Sequence, residues 1–135
     1  MPRPRITLKL ATSLDGRIAT AAGESQWITG EASRAEVQRL RAANDAVLVG
    51  AETVRKDNPS LLARTESPPA KQPARVVVTT RLEIPPDAKM FADVSSAPVI
   101  VFAIPRASPA RHAILEAMGA QIETCLLYTS PSPRD

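Results

Sequence analysis

Short runs rich in Val, Ile and Ala recur along the chain, at Ala46 to Val49, Ala74 to Thr79, Pro98 to Ala103 and from Gly119 to Glu123. Ala46-Val47-Leu48-Val49 is apolar at every position, the pattern of an interior strand of a parallel sheet, with Gly50 closing it. Helix-like stretches alternate with these runs. Ala51 to Asp57 follows the first and is stopped by Asn58-Pro59, and Pro109 to Met118 precedes the last. Parallel neighbours need a crossover connection, and a helix supplies it. Strand, helix and strand in repetition therefore restrict the chain to the α/β class, a mostly parallel sheet with flanking helices.

Composition narrows the class further. At 135 residues the chain is long enough for one core and too short for two. With 44% hydrophobic but only 3% aromatic residues, that core must be built from Ala, Val, Ile and Leu. The formal charge of +3 comes from scattered arginines with no aromatic residues between them. That excludes a nucleic-acid stacking platform and suits phosphorylated small molecules. The single Cys125 cannot form an internal disulfide, and with the single His112 it cannot complete a zinc site, so no metal is expected. There is no apolar run of membrane-spanning length, and MPRPR leads straight into a strand-like segment. No membrane partner is expected, and the cytoplasm is the expected compartment.

Before the repeats, Ile6, Leu8 and Leu10 alternate with Thr7, Lys9 and Ala11, which predicts a first strand with Lys9 on the face away from the leucines. Ser13, Asp15 and Gly16 turn the chain into a loop that carries Trp27, the only Trp. Set among small and polar residues, Trp27 must lie against something else, either the core or a ligand. Thr29-Gly30-Glu31 opens a helix running to about Ala43, with Thr29 expected to cap it. On that helix Ser33, Val37 and Leu40 share a side, Arg34 and Arg41 border it, and Arg39 points to water. Arg41 is either a solvated charge or a guanidinium presented to a cleft.

Two further places suit an anion. Gly50 leads from a strand directly into a helix start, although the G-x-G-x-x-G fingerprint is absent. Thr79-Thr80-Arg81 ends the Ala74 strand at the edge where open α/β sheets bind ligands. Thr65 to Pro73 reads as a proline-rich surface loop without chemistry.

LKLATSLDGRIATAAGESQWIT, Leu40-Arg41, DAVLVGAETVRKDNPSLLAR and RVVVTTR together resemble the reductase domain of the riboflavin-biosynthesis bifunctional deaminase/reductase family. The likeness runs from Arg5 to about Glu123, and the family is similar to dihydrofolate reductase in fold. It implies NADPH-dependent reduction of the ribosyl group of 5-amino-6-(5-phosphoribosylamino)uracil to ribityl, and a homodimer when complete. By motif position, Ser25, Arg41, Leu61 and Arg64 would contact substrate. Ala11, Trp27, Thr53, Asp57 and Thr80 would contact NADPH. An arginine pair suits a phosphate, and small Ala11 lets a flat ring approach the backbone. Asp57 is either a ribose contact or a helix-end carboxylate in water. No catalytic group is assigned, and Lys9 has no motif-based role.

The resemblance also implies absences. No H-x-E with P-C-x-x-C is present, so deamination is not expected. The family's glycine-rich diphosphate stretch is not reached, which implies residues 1–124 as the N-terminal part of a reductase domain that does not turn over alone. Residues 125–135, with two Ser-Pro pairs, resemble translated adaptor sequence and are expected to be a non-native disordered tail. Cys125 is accordingly not a nucleophile. The alternatives are a related dihydrofolate-reductase-like enzyme of another pterin or pyrimidine, and an inactive nucleotide-binding fragment.

Overall fold

In a computed structural model, residues 3–24 and 29–125 are described. The elements are α1 (Glu31–Ala42), β1 (Ala46–Gly50), α2 (Ala51–Asp57), β2 (Ala74–Thr79), a short 3-10 turn (Lys89–Phe91), β3 (Val99–Ala103), α3 (Pro109–Ala117) and β4 (Ala120–Thr124). The strands form one sheet in the order β1-β2-β3-β4, and every pairing is parallel. The α/β reading of the repeats is therefore realised among the described residues, with α2 and α3 in two of the connections.

Register decides what each strand offers to each face. Val49, Val77, Val101 and Ile122 lie side by side, and the adjacent rung is Leu48, Val76, Ile100 and Gln121. The first set joins the core, where Val77 and Val101 pack with Val54 of α2, Leu115 of α3, Leu61, Leu82 and Met90. The opposite face is only partly covered: Leu48 is 64% exposed, and Val78 and Phe102 are each 36% exposed.

Three local expectations are corrected. β1 is an edge strand with alternating exposure rather than an interior one. Its two-sided apolar sequence permits an interior place but does not recruit a second neighbour. Ile6 to Leu10 is not part of the sheet, and Ile6, Leu8 and Leu10 are 86%, 79% and 63% exposed. Alternation defines a face, but a strand also needs an edge to take its N–H and C=O groups. The turn after it does form, with the Gly16 N–H on the Ser13 carbonyl at 2.9 Å and Gly16 at φ +79°. Finally, Gly30 rather than Thr29 is the N-cap of α1, one residue further along. The Thr29 carbonyl instead accepts from Arg34 Nη1 at 3.0 Å.

Arg75 is the buried charge of the fold. It occupies the core-facing register of β2 with no exposed surface. Nη1 donates to the Ala92 carbonyl at 2.7 Å, and Nη2 donates to the carbonyls of Asp93, at 3.2 Å, and Ala97. Burial lowers the guanidinium pKa and nearby Asp93 opposes the shift. One planar group thereby ties three carbonyls of the loop between the 3-10 turn and β3 to the strand β2. Gly119 closes the same region at φ +90°, where an added Cβ would stand 2.9 Å from Val94 Cγ2.

Candidate functional site

Two groups of cations form on this frame. In the first, Arg41 leaves the last turn of α1 and its Nη1 donates to the Leu62 carbonyl at 3.2 Å. Burial pushes the Arg41 guanidinium below its ordinary pKa, and the like charge of Arg64 adds to the effect. Gln38 of α1 accepts from the Arg64 backbone N–H at 2.8 Å, tying the Arg64 segment to the helix. The Gln72 side chain accepts from the Ala63 N–H at 2.9 Å and donates to the Ala63 carbonyl at 3.0 Å, holding the segment from the other side. The result is a half-buried guanidinium beside an exposed one, both on a fixed backbone. Such a pair repels itself until an anion arrives.

Leu61, between these arginines in sequence, sits in the core at 1% exposure and φ +60°. Its side chain is thus engaged with the core cluster rather than lining an open wall.

The second group surrounds a cavity of about 260 Å³ at the carboxyl end of β2, lined by Ala51, Arg55, Thr79, Thr80, Arg81 and Glu83. Thr79 is buried, and its hydroxyl accepts from the Arg81 N–H at 3.4 Å. Thr80 and Arg81 are exposed. Arg55 Nη1 donates to the Glu83 carbonyl at 2.8 Å, and Arg111 Nη1 donates to the Arg81 carbonyl at 3.2 Å and to Glu83 Oε1 at 3.1 Å. A larger hollow of about 360 Å³ adjoins it, walled by Leu82, Ile84, Pro85, Ile114 and Leu115. It shares Arg55 and Glu83 with the smaller cavity, and Arg111 lines the larger one alone.

The other anticipated residues are dispersed. Thr53 and Asp57 are exposed on α2, four apart and so on one side of the helix. Ala11 lies half-buried on the unpaired N-terminal segment. Ser25 and Trp27 fall outside the described residues. Among the described residues no cluster of three His, Cys, Asp or Glu could hold a metal ion, and no helix is long and apolar enough to cross a membrane. Sequence reasoning singled out neither Glu83 nor Arg111, because Glu83 meets Arg55 and Arg111 each across 28 residues of chain, the second through the packing of α3. Arg75 was legible in principle, as a charge set at the head of a Val-Val-Val run.

The profile of the RibD C-terminal domain matches residues 4–127. The chain belongs to the RibD C-terminal domain family. It is 41% identical over 121 residues to the riboflavin biosynthesis protein RibD of Bacillus amyloliquefaciens, covering 90% of this chain and 32% of that protein. RibD of Acinetobacter baumannii, form 1, superposes with a TM-score of 0.70 at 34% identity, over 86% of this chain and 32% of that one. A Thermotoga maritima diaminohydroxyphosphoribosylaminopyrimidine deaminase/5-amino-6-(5-phosphoribosylamino)uracil reductase gives 0.62 at 29% identity, over 86% of this chain and 37% of that one. The chain thus spans about a third of the length of these relatives.

The RibD C-terminal domain family implies a nicotinamide cofactor, and the strand-end cavity can be tested against it. An exposed guanidinium, a hydroxyl and an adjacent helix start form a donor set suited to a phosphate-bearing end. The volume suits one end of a dinucleotide rather than the whole.

Proposed function

We propose that the chain forms part of an NADPH-dependent reductase of riboflavin biosynthesis that converts the ribosyl group of 5-amino-6-(5-phosphoribosylamino)uracil to ribityl. Bound NADPH supplies the hydride. The protein's own work is to hold two phosphorylated molecules in register, and positioning of this kind can contribute about 7 to 11 kcal/mol toward a barrier. Arg41 and Arg64, with Ser25 and the backbone of Leu61, are assigned to the substrate side. Ala11, Trp27, Thr53, Asp57 and Thr80 are assigned to the cofactor side. A cytoplasmic setting, homodimer formation by the complete protein and the absence of nucleic-acid and membrane partners belong to the same reading.

The observation that carries it is the Arg41–Arg64 pair, two like charges held close by Leu62 and Gln38 with no carboxylate bonded to either among the described residues. Family membership and the name of the Thermotoga relative add the reaction class. The buried position of Leu61 leaves the arginines as the principal substrate contacts on this side. The test is calorimetry with ribose 5-phosphate and with NADPH. Arg41→Gln or Arg64→Gln should weaken ribose 5-phosphate by about 1.5 to 3 kcal/mol and leave NADPH nearly unchanged. Equal losses for both ligands would refute the assignment.

A further inference from the structure

Residues 62–64 belong to no strand, yet each is bonded as though it lay in one. The Leu62 carbonyl accepts from Arg41 Nη1 at 3.2 Å, and the Arg64 N–H donates to the Gln38 side chain at 2.8 Å. Between them the Gln72 amide takes both backbone groups of Ala63, accepting from its N–H at 2.9 Å and donating to its carbonyl at 3.0 Å. One side chain thus makes the pair of bonds that a neighbouring strand residue would make. The sides alternate as an extended chain requires, Leu62 and Arg64 turned to α1 and Ala63 turned to Gln72. Both ends of the Gln72 bridge are rooted in the interior: Ala63 is 2% exposed, and buried Pro73 links Gln72 to β2. The proline-rich stretch between them is mostly exposed, a loop closed at its neck by one amide.

We infer that Gln38 and Gln72 are positioning residues, which hold the Arg64 backbone from opposite sides so that its guanidinium stands beside that of Arg41. This rests on the reading of Arg41 and Arg64 as the substrate's phosphate contacts, and adds the residues on which their spacing depends. Two like charges separate when they are free to, and Arg64 is exposed on a segment without a strand neighbour among the described residues. A stapled segment has already lost the freedom that an anion would otherwise have to remove on binding. Gln38 lies one turn before Arg41 on α1, so a single helix sets both the cation and the backbone of its companion. The proline-rich loop enters the site through Gln72 alone, and its exposed residues have no part in it.

The test is titration of the 135-residue chain with ribose 5-phosphate, with NADPH as control ligand and amide hydrogen exchange reading the staples directly. Gln72→Met and Gln38→Met keep the side-chain length and remove the amide. Each should speed exchange at its own amide, Ala63 or Arg64. Ribose 5-phosphate should weaken about fivefold in the first and about threefold in the second, with NADPH unchanged. In an Arg64→Gln background neither should weaken it further, because the group they position is gone. Exchanging residues 66–71 for a glycine-serine run of equal length should leave the affinity unaltered. Undiminished losses in the Arg64→Gln background, or equal losses for NADPH, would make the glutamines merely structural and overturn the proposal. A loop exchange as damaging as Gln72→Met would do the same. Should Gln72→Met fail to fold, Gln38→Met in the two backgrounds decides by itself. Glutamine variants that bind ribose 5-phosphate as the parent does would overturn the proposal alone. A folded parent that binds none would overturn the phosphate reading and the proposal with it.

Discussion

Helix α1 has twelve residues and buries none, whereas α2 has seven and buries Ala51 and Val54. The same contrast holds between the segments around them. Ile6, Leu8, Leu10, Leu14 and Ile18 stand in solvent, while among the described residues the buried core is made by apolar residues after Gly50. The two regions do not differ in their supply of apolar residues. They differ in whether a partner surface exists: α2 and α3 lie on a sheet whose strands are neighbours in sequence, and the N-terminal segment has no sheet edge against it. Hydrophobic pattern is thus a demand for burial, and only the part of the chain that supplies its own second layer meets it.

The comparison can be broken most severely at Arg75. Arg75→Ala removes hydrogen bonds to three carbonyls at once and should cost about 4 kcal/mol of unfolding free energy in denaturant titration. Retained stability would mean that the loop does not depend on the guanidinium. Next, Leu115→Ala in the core should cost about 3 kcal/mol through its cavity, whereas Leu14→Ala, fully exposed, should stay within about 0.5 kcal/mol. Similar costs at the two sites would dissolve the distinction between regions.

Glycine sharpens it further, since Gly119 and Gly16 both have positive φ but only Gly119 has a neighbour where a Cβ would go. Gly119→Ala should lower stability by about 1 to 3 kcal/mol, and Gly16→Ala should leave the cooperative melt nearly unchanged. The smallest effect is expected at Asp93. The Ser96 hydroxyl, then that of Ser95, holds its carboxyl below the ordinary aspartate range. A depressed pKa stabilises the fold above the unfolded aspartate's value, and the contribution fades as pH falls through the folded one. Asp93→Asn should therefore flatten the pH dependence of the melting temperature below about pH 4, while leaving it unaltered near neutrality.

The legible part of the fold follows the same division. Helix α2 was readable from Gly50 before it and Asn58-Pro59 after it, and the strands from Ala46 onward were readable from their β-branched runs, because those signals are local. Whether Ile6 to Leu10 pairs, and whether β1 lies inside the sheet or at its edge, are questions of strand order, which no single segment encodes. The candidate site divides likewise. Arg41 and Arg64 were reached through motifs and then meet through Gln38 and Leu62. Leu61 carried a motif role, but its left-handed backbone and core position depend on packing. Glu83 and Arg111 give no periodic or motif signal because exposed charges are common on helices and loops, and their significance arises only where α3 brings Arg111 to Glu83 and α2 brings Arg55 to the same residue.

The unbroken order of the sheet has a bearing on how the chain is made. Each strand pairs with the one synthesised just before it, so β2 leaving the ribosome finds β1 already waiting, β3 finds β2, and β4 finds β3. Among the described residues no strand must be held back for a later partner or inserted between two that have already joined. Short closures of this kind keep contact order low for a parallel sheet, whose long-range pairings are otherwise slow to form. Assembly can advance in one direction during translation, with Gly119 turning the final strand into place.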